Sequence, residues 1–104
     1  MNDSILKLAP AGVWKEFQGI LSGPRPSKKE AKMVAYLEKW AKDHKVKYVK
    51  EPCGNIIMTI PATKGMEDRK MIALQAHMDM VCEKNGDKVH DFEKDPIEAV
   101  IKGE

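Results

Sequence analysis

The sequence has few cysteines and no long hydrophobic run. Its 104 residues include two cysteines, Cys53 and Cys82. Two are too few for a disulfide framework, and we expect both to be reduced thiols that pack as small buried side chains. No apolar stretch approaches the roughly 20 residues that span a membrane, and residues 1–24 carry charges where a signal peptide would be apolar. These absences favour a cytoplasmic protein that contacts no membrane.

The chain also lacks a strong charge of one sign, since its net charge is only +2. Residues 25–50 hold nine basic and three acidic side chains, and residues 83–104 hold seven acidic and four basic ones. The basic stretch is rich in lysine rather than arginine, which is typical of a solvated helix face, and we expect no nucleic-acid partner. A glycine-rich phosphate loop and a Gly-x-Ser-x-Gly elbow are both absent.

Two amphipathic helices are predicted in the first half of the chain. Residues 3–21 show helical spacing of apolar side chains, interrupted near Pro10. A second helix is predicted over residues 28–44, with Ser27 and Glu30 as a capping box at its start. His44 lies at the end of the apolar stripe of this helix, and we expect it to have a structural role there.

The pattern then changes to that of β-strands. Strands are predicted at residues 46–49, 55–60 and 70–78, with a last short one at 97–101. The third is apolar on both faces, as an interior strand of an α/β sheet would be. The predicted fold is therefore α/β: two N-terminal helices followed by strands of a mixed sheet. Nothing after the last strand closes the domain, so we interpret residues 1–104 as part of a single, longer domain.

A chemically distinctive pair follows the apolar strand in "MIALQAHMDM", residues 71–80. Ligands bind at the carboxyl ends of strands in open α/β sheets, and His77 lies at such an end. Asp79 would share its side of an extended backbone, so the pair could supply a metal ligand and the carboxylate that orients it. Spacing alone favours a structural histidine over a metal ligand, since a single histidine in a sheet more often has its hydrogen bonds satisfied by the fold. We expect His90 and Asp91, in a polar loop, to be solvated.

Three segments carry a family resemblance: "LSGPRPSKKEAKMVAYLEKWA", "PCGNIIMTIPAT" and "LQAHMDMVCEKN". From about Leu8 to Lys102 the chain resembles the start of aminoacyl-histidine (Xaa-His) dipeptidases, which are metallopeptidases of the M20 family. The resemblance implies that His77 binds one zinc of a two-zinc catalytic site and that Asp79 orients this histidine as a catalytic residue. It also implies a short peptide as substrate, with Co or Mn as substitutes for zinc.

The resemblance further implies an incomplete portion of an α/β/α zinc-peptidase catalytic domain. The family's bridging aspartate, its Glu-Glu pair with the general base, and its other ligands are expected beyond residue 104, and no Glu-Glu pair occurs here. The leading hypothesis is an N-terminal segment of a dipeptidase that activates water with metal, is inactive alone, and has the rest of the domain as its partner. The alternative is a stand-alone α/β module that folds or self-associates as a homo-oligomer without catalysis.

Overall fold

The computed structural model describes residues 3–103, in which two helices precede a β-hairpin. A short 3₁₀ segment, Asp3–Lys7, leads into helix α1 at Ala11–Leu21, and helix α2 follows at Ala31–Asp43. Strands β1 and β2 span Lys47–Lys50 and Ile56–Thr59. From residue 60 to residue 103 the chain forms turns and extended segments, with one isolated parallel bridge between Met80 and Pro26.

Both helices lie where hydrophobic periodicity predicts them, but the predicted capping box is wrong. The N-cap of α2 is Glu30, which makes no side-chain cap bond. Its carboxylate Oε1 instead accepts a hydrogen bond from the Lys28 backbone N–H at 2.6 Å. Lys28 has a φ of +69°, so the chain turns sharply between Ser27 and the helix. This turn leaves the Ser27 hydroxyl available for another partner.

α1 and α2 contact each other through side chains near the small core. A Cβ placed on Gly19 would lie 2.2 Å from the Tyr36 hydroxyl oxygen, so glycine is what allows this contact. Trp40 Nε1 donates a hydrogen bond to Glu16 Oε2 at 2.7 Å. The buried hydrophobic side chains come from the 3₁₀ segment and both helices: Ile5, Leu21, Met33 and Ala41.

The hairpin pairs β1 and β2 antiparallel, with Lys47 opposite Thr59 and Lys50 opposite Ile56. Gly54 allows the tight connection, since its φ is +96°. α2 packs against this hairpin, and Tyr48 Oη donates to Glu38 Oε1 at 3.3 Å. The strands predicted at residues 46–49 and 55–60 are thus confirmed. His44 has its predicted structural role, because its ring stacks on Trp40 at a centroid distance of 4.1 Å.

The predicted interior strand at residues 70–78 is not formed. This segment is irregular and extended, and three of its apolar side chains are almost fully exposed: Met71 (92%), Ile72 (81%) and Leu74 (95%). A strand requires a neighbour that pairs with its backbone, and no other strand of residues 3–103 lies beside this one. Residues 97–101 likewise form no strand, and the Ile97 N–H donates to the Leu21 carbonyl oxygen at the end of α1, at 3.0 Å.

The chain is more expanded than a self-contained domain of its length. Its radius of gyration is 16.4 Å, against about 13 Å for a compact domain of this size. Its accessible surface is 8957 Å², against roughly 5,900 Å² expected from its mass. The surplus surface includes the apolar segment after β2, so this part of the fold presents a face that another polypeptide could cover. Within residues 3–103, no helix has the length and hydrophobicity required to cross a bilayer.

Candidate metal-ligand site

The site begins with the imidazole of His77. Its Nδ1 lies 3.0 Å from Asp79 Oδ1 and 2.9 Å from the Asp79 backbone oxygen. The structure therefore brings together the two residues that the sequence predicts as a pair. The His77 side chain is 79% exposed, whereas that of Asp79 is 35% exposed. The aspartate is thus the anchored member of the pair and the histidine the accessible one.

The hydrogen bonds of His77 define which ring nitrogen is free. Both partners of Nδ1 are acceptors, so the neutral ring carries its proton on Nδ1. Nε2 then has an unprotonated lone pair and faces solvent. A carboxylate that accepts the second ring N–H is the usual arrangement behind a metal-bound histidine, since it sets the tautomer and raises ligand basicity.

A serine that sequence reasoning placed elsewhere completes the cluster. Ser27 Oγ donates a hydrogen bond to Asp79 Oδ2 at 2.6 Å. Ser27 lies in "LSGPRPSKKEAKMVAYLEKWA" and Asp79 in "LQAHMDMVCEKN", two of the segments that carry the family resemblance. Their contact could not be deduced from spacing, because 52 residues separate Ser27 from Asp79.

Backbone bonds hold these two segments together. The Met80 N–H donates to the Arg25 carbonyl at 2.9 Å, and the Ser27 N–H donates to the Met80 carbonyl at 3.2 Å. Arg25 in turn donates from its guanidinium to the Ile20 carbonyl at the end of α1, at 2.6 Å. The loop between the helices therefore connects His77 and Asp79 to the helical core.

The electrostatics of Asp79 favour its ionised form. The hydrogen bond from Ser27, followed by the one from His77, holds the pKa of the Asp79 carboxyl below its usual value. An ionised carboxylate accepts from both neighbours at once, one on each oxygen. The Asp79 carboxylate therefore holds the His77 ring on one oxygen and the Ser27 hydroxyl on the other.

An open cleft of about 560 Å³ lies next to Ser27. Lys29 forms an ion pair with Glu93 on its wall, and Glu93 raises the pKa of the Lys29 ammonium. Asp91 in this wall is exposed, as predicted. His90 is half-buried, contrary to prediction, because its ring packs edge-on against Phe92 at 5.0 Å.

The predicted burial of the two cysteines is wrong. Both are free and exposed. Cys53 lies in the tight turn between β1 and β2. Cys82 follows Met80 in the extended segment and borders the open cleft. A short turn and an unpaired extended segment have no packed interior in which a thiol could be buried. The apolar character of cysteine therefore does not predict its burial at these two positions.

The donor set fits one metal ligand and no more. In the part of the chain that the structure describes, no three His, Cys, Asp or Glu side chains are grouped so that they could hold a metal ion. His77 has the free lone pair and the oriented ring of a ligand, while Asp79 is engaged by two hydrogen bonds. A metal at His77 would therefore require further ligands from outside residues 3–103.

The sequence and fold together match one class of protein, the dipeptidases. The chain is 47% identical over 98 residues to the cytosol non-specific dipeptidase of Escherichia coli K12, a match that covers 94% of this chain and 20% of that enzyme. It superposes on the crystal structure of aminoacylhistidine dipeptidase from Vibrio alginolyticus with a TM-score of 0.90 and 44% identity, covering 96% of this chain and 20% of that one. No family model matches.

These matches confirm the resemblance to aminoacyl-histidine dipeptidases and the α/β class of the fold. The chain spans about a fifth of the length of both relatives. It thus corresponds to a segment of a dipeptidase, a hydrolase, in sequence and in three dimensions. The roles of His77 and Asp79 stay predictions, for which the geometry above supplies the physical support.

Proposed function

We propose that this chain forms part of the catalytic domain of a two-zinc dipeptidase of the M20 family that acts on Xaa-His and similar short peptides in the cytoplasm. His77 binds one zinc through Nε2, and Asp79 orients the ring. The observation that carries the proposal is the pair of acceptors on His77 Nδ1, at 2.9 and 3.0 Å, on a side chain that is 79% exposed. In the neutral ring, two acceptors on Nδ1 leave Nε2 without a proton and able to bind a metal.

The residues of this chain contribute orientation and charge to the reaction. The zinc pair, when bound, supplies Lewis-acid activation of the water that attacks the peptide carbonyl. Asp79 keeps the proton of His77 on Nδ1 and makes Nε2 a more basic ligand for the metal. The general base and the remaining ligands come from the rest of the catalytic domain, which is the principal partner of this segment.

Two features of the chain support the proposal that the rest of the catalytic domain supplies the other ligands. Residues 3–103 contain no complete metal-binding group, and the apolar side chains of residues 71–74 are exposed. Both features follow if another part of the enzyme supplies the missing ligands and covers this segment. The 104 residues by themselves are expected to hydrolyse no peptide.

A chimeric enzyme tests the proposal. The segment of the E. coli dipeptidase that matches this chain is replaced by the chain itself, and zinc content and hydrolysis of Xaa-His dipeptides are measured. Because the two segments are 47% identical, we expect a folded, active chimera with two zinc ions. His77→Ala should remove about one zinc per chain and reduce kcat/KM by at least 100-fold, the upper range seen when even an outer partner of a metal ligand is lost.

His90→Ala is the matched control, since His90 is a half-buried histidine held by Phe92 rather than by a carboxylate. It should leave the zinc stoichiometry unchanged. A His77→Ala chimera that retains both zinc ions would show that His77 is no ligand. A wild-type chimera that folds and binds metal but cleaves no dipeptide would contradict the proposed activity.

A further inference from the structure

We propose that Ser27 is a positioning residue for the metal-ligand site: its hydroxyl fixes the carboxylate of Asp79, and through it the imidazole of His77. This inference rests on the proposed function in that it assigns Ser27 to the same site. Its physical content is the series of contacts from Ser27 Oγ to Asp79 Oδ2 at 2.6 Å and from Asp79 Oδ1 to His77 Nδ1 at 3.0 Å.

The hydroxyl of Ser27 is not used by the helix that follows it. A serine near a helix start ordinarily accepts a hydrogen bond from a backbone N–H of the first turn. Here α2 begins at Ala31 with Glu30 as its N-cap, and the positive φ of Lys28 separates Ser27 from the helix. The hydroxyl is instead directed at Asp79. The departure from the capping pattern thus places a donor at the site.

Backbone bonds hold Ser27 in place before its side chain acts. Its N–H donates to the Met80 carbonyl, and the Met80 N–H donates to the Arg25 carbonyl. Met80 is the residue directly after Asp79, so these bonds fix the serine Cα relative to the aspartate backbone. The backbone entropy of bringing the two segments together is then not charged to the side-chain contact, and only the rotamer of Ser27 has to be fixed when it binds the carboxylate. Ser27 is therefore pre-organised for this contact.

Anchoring both oxygens fixes the plane of the carboxylate. With Oδ1 on His77 and Oδ2 on Ser27, rotation about the Cβ–Cγ bond of Asp79 breaks two hydrogen bonds rather than one. Without Ser27, Oδ2 turns to water and Oδ1 is no longer held against the ring. The Asp79 backbone oxygen, 2.9 Å from Nδ1, still accepts from His77. We therefore expect a partial loss of ring orientation when Ser27 is replaced.

The tautomer of His77 in the metal-free chain measures this effect directly. Nitrogen NMR of histidine-labelled protein, at pH about 8 where imidazole is neutral, gives the ratio of the Nδ1–H to the Nε2–H form for each ring. Ser27→Ala should lower this ratio at His77 by about threefold to tenfold, the size expected from the net contribution of one hydrogen bond. Ser27→Thr, which keeps the hydroxyl, should restore it.

His44 is an internal control in the same spectrum. Its Nδ1 lies 2.8 Å from the Trp40 carbonyl, so it has the same tautomer for a reason unrelated to Ser27. We expect its ratio to be unchanged in both variants. If Ser27→Ala alters His44 together with His77, the serine maintains the fold as a whole and the positioning role is overturned.

A second background isolates the route through Asp79. In an Asp79→Ala chain, adding Ser27→Ala should change the His77 ratio no further. An equal change in both backgrounds, an unchanged ratio in Ser27→Ala, or failure of Ser27→Thr to restore it would each overturn the proposal. Since this measurement uses no metal and no peptide, loss of zinc binding or activity in the chimera would contradict the proposed function and leave the positioning result standing.

Discussion

Replacing Gly19 with alanine tests how closely α1 and α2 approach each other. The new Cβ would lie 2.2 Å from Tyr36 Oη and 3.2 Å from Tyr36 Cζ. The hydroxyl must move, and overpacking of this kind costs about 1–3 kcal/mol. Alanine in a helix interior gains about 1 kcal/mol over glycine. We therefore expect Gly19→Ala to lower the free energy of unfolding by roughly 0–2 kcal/mol.

The sign of this effect should change when the hydroxyl is removed. In a Tyr36→Phe background the nearest ring atom is the one now 3.2 Å from the Cβ position, and a shift of a few tenths of an ångström accommodates it. The helix-propensity gain then remains, so Gly19→Ala should be neutral or stabilising by up to about 1 kcal/mol. The coupling between the two substitutions is expected to be about 1–2 kcal/mol.

Urea unfolding followed by tryptophan fluorescence provides the assay, since Trp14 lies on α1 and Trp40 on α2. Gly12→Ala is the matched control, because nothing lies within 4 Å of a Cβ at Gly12. It should be neutral or slightly stabilising in both backgrounds. The reasoning is refuted if Gly19→Ala stabilises the wild-type chain as Gly12→Ala does, or if its effect is the same with tyrosine and with phenylalanine at position 36.

Two further predictions concern pH and association. Burial, with a further contribution from Glu16, raises the pKa of the Tyr36 phenol above its ordinary value of 10.0, so the folded chain resists ionisation of this group. The stability that the neutral Tyr36 phenol contributes is present below pH 10 and is lost as the pH rises through the folded-state pKa. The loss of stability at alkaline pH, followed by circular dichroism, should therefore be less steep in Tyr36→Phe. Identical curves for the two proteins would contradict this. Leu74 is 95% exposed beside other exposed apolar side chains, so we expect the isolated chain to self-associate, as measured by light scattering. Leu74→Lys should weaken this association. A wild-type chain that stays monomeric at all concentrations would contradict the prediction.

The helices and the hairpin were accessible to sequence reasoning because they depend on local patterns. α2 has apolar side chains at helical spacing, and its observed bounds, Ala31–Asp43, lie within the predicted 28–44. β1 and β2 combine β-branched residues with a glycine-containing turn, and both form where predicted. Each of these elements finds its hydrogen-bond partners within itself or in the adjacent segment.

The prediction for residues 70–78 was wrong because a strand depends on a partner. The apolar pattern correctly indicates a segment suited to burial on both faces. In residues 3–103 no strand pairs with it, so its backbone stays irregular and Met71, Ile72 and Leu74 stay exposed. The hydrophobic pattern indicates that a segment is suited to a buried strand. The strand forms only where another strand pairs with its backbone.

The candidate metal-ligand site also combines a local contact with one that depends on the tertiary structure. His77 and Asp79 are two residues apart, so an extended backbone suffices to place the carboxylate on the same side as the ring. The spacing of Ser27 and Glu30 predicts a capping box. Only the tertiary contacts between Arg25–Ser27 and Met80 direct the Ser27 hydroxyl to Asp79 instead.

The sequence by itself determined the two helices, the hairpin, the His77–Asp79 pair and the resemblance to dipeptidases, since all of these are written in residues that are close together or in recognisable motifs. Only the tertiary structure decided the Gly19–Tyr36 contact, the exposure of the apolar segment and the attachment of Ser27 to Asp79. These depend on where distant segments meet, and a hydrogen bond of 2.6 Å between residues 52 positions apart exists only after the chain has folded.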